Sequence, residues 1–390
     1  MVKDIVLFTG AGLYLCFPQY FSLTSELDDI HKVFLFLNDP ATVQLDRPLL
    51  NKKLINKHFD TYLSVRDIES KRFSYWTFHL KYKKILLNYL YKINPKAVLS
   101  CSDMSLSSRI TMSWCKKNKV PYIILQPAFI NGYFQKYKLK HIIKSIFVNK
   151  ILKIPKYRTQ PYFGNESNKT HLFLWSKNFN RFPKRKNVSY FGNPVFDKIF
   201  KDFKSERKIK NKIIICTQLI ELLFEEDLVN EVHSFFLEAI KSKPEITFYI
   251  KLHPREPINK YNHIFSPKKY PNIKIVKNEN LYDLFKDCDI QISVASFTSF
   301  EAAAIGLPII IINPSNKLSI ADFFREEIEL RVIDIKYIKK VIEKALSEDY
   351  WQEFLLKRKN YFKKMLTFID GNSAQCVSNK IRELIIAKNK

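Results

Sequence analysis

Ser296, Thr298 and Ser299 place three hydroxyl groups within four positions, directly after an apolar, β-branched run at 290–294 and directly before a short helical stretch. At the start of a helix the free backbone N–H groups and the helix dipole favour an anion such as a phosphate. A second feature stands upstream. His253 and Pro254 end another apolar run, 246–252, with the cations Lys251 and Arg255 on either side. In a parallel sheet both features fall on the carboxyl edge, where open α/β sheets bind ligands. A histidine, two cations and a helix N-terminus aimed at one crevice suit a phosphate leaving group, because each stabilises charge as it develops. The plainer alternatives are a capped turn at 296–299 and a structural histidine at the strand end.

The elements that position these residues follow from periodicity. Thr298 and Glu301 fit a capping box that starts a helix at Ser299. Gly306 and Pro308 stop that helix, since glycine tolerates a left-handed cap and proline cannot continue a helix. Apolar runs at 212–216, 246–252, 273–276, 290–294, 309–312 and 331–335 read as strands, with helices at 225–241, 280–286 and from 337 onward. The first half shows the same rhythm, with strands at 5–8, 32–37, 97–101, 121–125, 171–175 and 188–191 and helices at 67–91 and 107–117. Strands alternating with helices predict an α/β protein of two Rossmann-like, doubly wound domains. A charged stretch at 200–211, poor in large apolar side chains, puts the boundary between domains at 1–200 and 201–390.

Glycine is scarce, seven in 390 residues, so its positions carry information. Gly10 and Gly12 follow the first strand, where they let the chain turn tightly and approach a ligand. The pair lacks the third glycine of a dinucleotide fingerprint. Asp103, just past the strand at 97–101, is the best-placed carboxylate for a general base, with a helix N-cap as its alternative role. Asp287 and Asp289 match an Asp-x-Asp metal motif, yet they precede a strand and so belong to the amino edge. No metal set is expected. The six cysteines are scattered without CxxC spacing and read as free thiols in a reducing compartment.

The net charge of +27 attracts polyanions or an anionic membrane surface and says nothing of fold. The segment from Lys136 to Arg158 carries eight cations and no acid among apolar residues, a pattern that suits anionic lipid or an acidic polymer. No RNA- or DNA-binding signature accompanies the charge, so nucleic acid is not an expected partner. No run of eighteen uncharged apolar residues suggests a transmembrane helix, and the early strand at 5–8 argues against a signal peptide.

Beyond these local readings, two α/β halves with His253-Pro254 in the second, followed by Thr298-Ser299-x-Glu301-Ala302 and Gly306-x-Pro308, resemble the GT-B glycosyltransferases. The histidine–proline and hydroxyl pair resemble, more narrowly, the bacterial sialyl and Kdo transferases that use CMP-activated sugars. Residues 120–132 and Gly192-Asn193-Pro194-x-x-Asp197 resemble motifs of surface-polysaccharide transferases. The resemblance implies that His253 contacts the donor phosphate, with Thr298 and Ser299 on the same group; the further donor-binding candidates are Gly10, Gly12, Thr217, Lys251, Pro254, Arg255 and Ser296. It also implies that Glu301 holds the donor ribose, in competition with its capping role. Asp103 and His253 would be the catalytic pair. Pro127 replaces a histidine of the first-half motif, and the sialyltransferase Asp/Glu-Asp/Glu-Gly motif is absent. The expected protein is a metal-independent, inverting glycosyltransferase without a cofactor, cytoplasmic or peripheral on the inner membrane. Its donor would be a nucleotide sugar, its acceptor a surface glycan or lipid-linked glycan. The rivals are a nucleotide-sugar epimerase or hydrolase of the same fold and a non-catalytic polyanion binder.

Overall fold

The computed structural model describes residues 3–10, 17–36, 52–64, 75–101, 106–126, 170–179, 185–203, 206–222, 224–254, 256–262, 264–294, 296–316, 324 and 327–389. The chain divides into two compact units, Met1–Asp197 with Met365–Lys390, and Lys198–Lys364. Asp103 and the segment from Lys136 to Arg158 lie outside the described residues, as do Gly12, Pro127 and Arg255.

The first unit is built on a parallel sheet of seven strands in the order β3-β2-β1-β4-β5-β6-β7. These strands are β1 (Ile5–Gly10), β2 (His31–Phe36), β3 (Thr61–Ser64), β4 (Ala97–Ser100), β5 (Tyr122–Leu125), β6 (His171–Leu174) and β7 (Val188–Tyr190). Side chains alternate across the sheet. Leu7, Val33 and Val98 therefore join one core with helices α3 (Tyr75–Ile93) and α4 (Leu106–Lys117), through Tyr82, Leu86, Leu90 and Trp114. Val6, Phe8, Phe34 and Leu99 join the other, with Tyr20 and Leu23 of α1 (Phe17–Thr24) and Ile55 of α2 (Lys52–His58). Strand β3 and helix α2 have no counterpart in the sequence reading, because their four- and seven-residue runs are too short to show a period.

The second core also holds Val377, Ile381 and Ile385 of the C-terminal helix α11 (Ser373–Asn389). A linear division at 200/201 puts these residues in the second domain, whereas the structure groups Met365–Lys390 with the first unit. The physical reason is a latch. Asp197, on α5 (Asp197–Lys201), accepts the Ser373 and Ala374 N–H groups at 3.1 and 2.7 Å, satisfying free donors at the start of α11. Gly192 has a φ of 72°, and a Cβ there would lie 2.6 Å from Ser373 Oγ. The Gly-Asn-Pro-x-x-Asp motif is where the returning chain is held.

The second unit carries a six-stranded parallel sheet in the order β10-β9-β8-β11-β12-β13. Its strands are β8 (Lys212–Cys216), β9 (Thr247–Lys251), β10 (Ile273–Val276), β11 (Ile290–Ser293), β12 (Ile309–Ile312) and β13 (Leu330–Val332). Helices α6 (Glu226–Ser242), α7 (Leu281–Lys286), α8 (Phe297–Ile305), α9 (Ile338–Leu346) and α10 (Glu348–Met365) belong to it. All residues of β11 and β12 are buried; β12 is accordingly a continuous apolar run, whereas β11 alternates Ile290 and Ile292 with the buried polar residues Gln291 and Ser293. Strand β13 is shorter than expected, because Asp334 caps a 3₁₀ turn, Ile335–Tyr337, through Lys336 N.

Candidate functional site

The strand order of the second sheet reverses at β8, whose neighbours are β9 and β11, and the carboxyl edge at such a reversal is where open α/β sheets bind ligands. Cys216 pairs with Lys251 in register at the ends of β8 and β9, and its thiol also meets Thr298 at the start of α8. Thr217, Lys251, His253, Ser296 and Thr298 therefore gather along one edge. Gly10 ends β1 in the first unit, paired with Phe36.

Helix α8 begins two residues earlier than the capping box predicts. Ser296 is the N-cap, its Oγ accepting Thr298 N at 3.2 Å and the Thr298 hydroxyl at 2.7 Å. That start places Glu301 at the fifth helical position, out of reach of the cap, and its carboxylate accepts the Tyr282 hydroxyl at 2.7 Å instead. Ser299 is fully buried and shares a 2.6 Å hydrogen bond with Ser293 Oγ at the end of β11. The helix stops as expected. Gly306, at φ 98°, is the left-handed cap, and its N–H donates to Ala302 and Ala303. A Cβ at Gly306 would approach Phe203 to 2.5 Å.

Arg358 of α10 holds the same end, its guanidinium donating to the Ala303 and Ala304 carbonyls. It lies 3.8 Å from the centre of the Phe203 ring, and burial lowers its pKa to about 10. A cation at the C-terminus complements the helix dipole. The hydroxyl-bearing N-terminus of α8 is thus positioned from both ends.

The His253 turn is fixed by Glu256. Its carboxylate is fully buried and accepts Thr217 Oγ1 at 2.5 Å, His253 N at 2.9 Å, Lys260 Nζ at 2.7 Å and the Tyr261 hydroxyl at 2.7 Å. Burial pushes the Glu256 pKa up, but these hydrogen bonds outweigh it and hold the group below the ordinary carboxylate value. Lys251 spans the edge differently. It is half-buried, its ammonium donates to the Lys277 carbonyl beyond β10, and desolvation lowers its pKa. Pro254 is exposed next to His253. Burial raises the Cys216 thiol to about 11, so it stays protonated at neutral pH. Burial also raises Glu301 to about 7, opposed by the Tyr282 hydrogen bond.

Glu256, Lys260, Tyr261 and Tyr282 are absent from the sequence reading. The signal for the first two was a Glu three residues after the strand-end histidine with a Lys four further on, a spacing that brings the pair together in a turn. Among the described residues, no group of three or more His, Cys, Asp and Glu is placed to hold a metal. Asp289 sits at the amino edge, accepting the Lys210 and Lys212 N–H groups, and Asp287 pairs with Lys212 Nζ at 2.8 Å.

Two doubly wound sheets, each with the 3-2-1-4-5-6 order at its centre, define a two-domain α/β protein of the GT-B type. The putative UDP-N-acetylglucosamine 2-epimerase of Listeria monocytogenes has this fold, with a TM-score of 0.63, 12% identity and coverage of 98% of this chain and 96% of that one. MurG of Acinetobacter baumannii aligns with a TM-score of 0.55, 12% identity and coverage of 98% and 100%. A glycosyltransferase of Rickettsia africae aligns at 0.57, with 12% identity and 99% of each chain covered. No curated protein matches the chain. The chain belongs to the family described as "Protein of unknown function (DUF354)", whose model matches residues 140–369, more than half its length. Among the described residues no helix is long and apolar enough to cross a membrane.

Proposed function

We propose that the protein is a glycosyltransferase that binds the phosphate of a nucleotide-sugar donor at the carboxyl edge of the second sheet. The observation that carries this reading is the convergence of the His253 turn and the Ser296-capped N-terminus of α8 on the edge where the strand order reverses. Donor N–H groups and a histidine there stabilise the charge that develops on the departing phosphate. In this reading Glu301, which accepts the Tyr282 hydroxyl rather than capping the helix, holds the donor ribose. The resemblance at His253-Pro254 and Thr298-Ser299 favours a CMP-sugar as donor. The acceptor in this proposal is a surface or lipid-linked glycan, bound by the first unit.

In the inverting form of the reaction the acceptor hydroxyl attacks the anomeric carbon and the bond from that carbon to phosphate oxygen breaks. The hydroxyl proton passes to a carboxylate base, for which Asp103 is the candidate. No metal takes part in this scheme. The segment from Lys136 to Arg158 would bring the enzyme to the anionic inner face of the cytoplasmic membrane.

Epimerases of the same fold favour a second reading, in which a nucleotide sugar is rearranged without any acceptor. Incubating CMP-, UDP-, GDP- and TDP-sugars with the protein, with and without a membrane glycan extract, separates the two. Release of free nucleotide that depends on the extract supports transfer. A new sugar epimer formed without extract supports the rival.

A further inference from the structure

We infer that Glu256 is the positioning residue of this site: it fixes the His253 turn by holding the His253 N–H and the Thr217 hydroxyl with one carboxylate oxygen. The inference rests on the proposed donor-phosphate site for its functional meaning and on geometry for its substance. Oxygen Oε2 accepts from Thr217 Oγ1 and from His253 N, while Thr217 Oγ1 itself accepts the same His253 N–H at 3.1 Å. Oxygen Oε1 takes the other pair, Lys260 Nζ and the Tyr261 hydroxyl. The backbone closes the loop through Glu256 N to His253 O at 2.9 Å.

A fully buried carboxylate is costly unless its lone pairs are met, and here four donors meet them. The arrangement also joins two strand ends. Thr217 follows β8, His253 follows β9, and Lys260 reaches on to Glu221 at 2.6 Å, in the 3₁₀ turn Ile220–Leu222 after β8. Charge on Glu256 thus locks together the loops that follow β8 and β9. The two oxygens divide the labour, which makes the inference separable from a general role in stability. Oε2 faces the candidate site, and Oε1 faces the packing of Tyr261 against Phe265.

Amide hydrogen exchange at His253 tests this without any ligand, in the full-length protein and its variants. In Glu256→Ala the His253 amide should exchange about tenfold faster or more, as expected for the loss of a charged hydrogen bond. The neighbouring Leu252 amide, bonded to Val276 O across β9 and β10, should hold its parental rate. Glu256→Gln keeps one carbonyl oxygen and should restore most of the protection at His253. Tyr261→Phe removes a donor from the Oε1 side only and should leave His253 unchanged. Should Glu256→Ala fail to fold, Thr217→Val reads the same N–H, because it removes one of its two acceptors. Parental exchange at His253, or equal acceleration at His253 and Leu252, would overturn the inference.

Titration with CMP and UDP adds the functional arm. Where the parent binds one of them, Glu256→Ala should lose about tenfold in affinity while Tyr261→Phe keeps it. Equal affinity in parent and Glu256→Ala would overturn the positioning role. A parent that binds neither nucleotide contradicts a CMP- or UDP-sugar donor, and the exchange rates then still decide whether Glu256 fixes the turn.

Discussion

Two carboxylates of opposite character flank the candidate site. Glu256 is buried with four donors and is held below its ordinary pKa, whereas Glu301 is half-buried with one donor and is pushed up to about 7 by desolvation. Their contributions to stability therefore run in opposite directions with pH. Glu256 binds protons less readily folded than unfolded, so its contribution is present above the unfolded value near 4.5 and is lost as pH falls through the folded one. Glu301 binds protons more readily folded, so its contribution is full below 4.5 and is lost as pH rises through about 7. Glu301→Gln should remove that second slope and melt at a higher temperature than the parent above pH 7. The gain should be roughly 1–3 kcal/mol, and it should vanish near pH 4.5. Thermal melts at pH 5 and pH 8 check this, and a gain of equal size at both values contradicts it. If Glu301 holds the donor ribose as proposed, the same variant should also weaken nucleotide binding.

Helix α8 is the element on which the site depends, and it is pinned at both ends. Gly306→Ala would force a side chain into a left-handed φ and against the Phe203 ring, costing about 1–3 kcal/mol in urea denaturation. The stop at Gly306-x-Pro308 was readable because glycine and proline act locally. The start was misread because Thr298 and Glu301 satisfy the capping-box pattern while Ser296, two residues earlier, has the geometry to take Thr298 N. Pattern alone cannot rank two hydroxyl residues that could each serve as the N-cap. Helix α11 shows the same limit at longer range. Its attachment depends on Asp197, 176 residues away from Ser373, and no window of sequence joins them. Asp197→Ala should cost about 1–2 kcal/mol and raise exchange at the Ser373 and Ala374 amides first. Unchanged stability would show that the apolar contacts of α11 alone hold it.

At the scale of the whole molecule, the alternation of strands and helices made two doubly wound units legible, because a buried parallel strand announces itself as a short apolar run. The carboxyl-edge placement of His253 and the 296–299 hydroxyls followed from it. The grouping of Met365–Lys390 with the first unit did not, since chain return is a matter of packing. The charge of +27 makes weak binding to any polyanion expected, and such binding should fall steeply with salt. Binding of a nucleotide at the second sheet should instead survive raised salt and depend on single residues. A thermal-shift panel with CMP, CDP, UDP, GDP and TDP at high salt, on the parent and on His253→Ala, separates these two kinds of binding. A ligand that binds only the folded state raises its melting temperature by mass action. One nucleotide family should stabilise the parent clearly above the others, and His253→Ala should lose the shift while folding normally. A parent indifferent to all five, or a shift of equal size in His253→Ala, would contradict nucleotide binding at the second sheet.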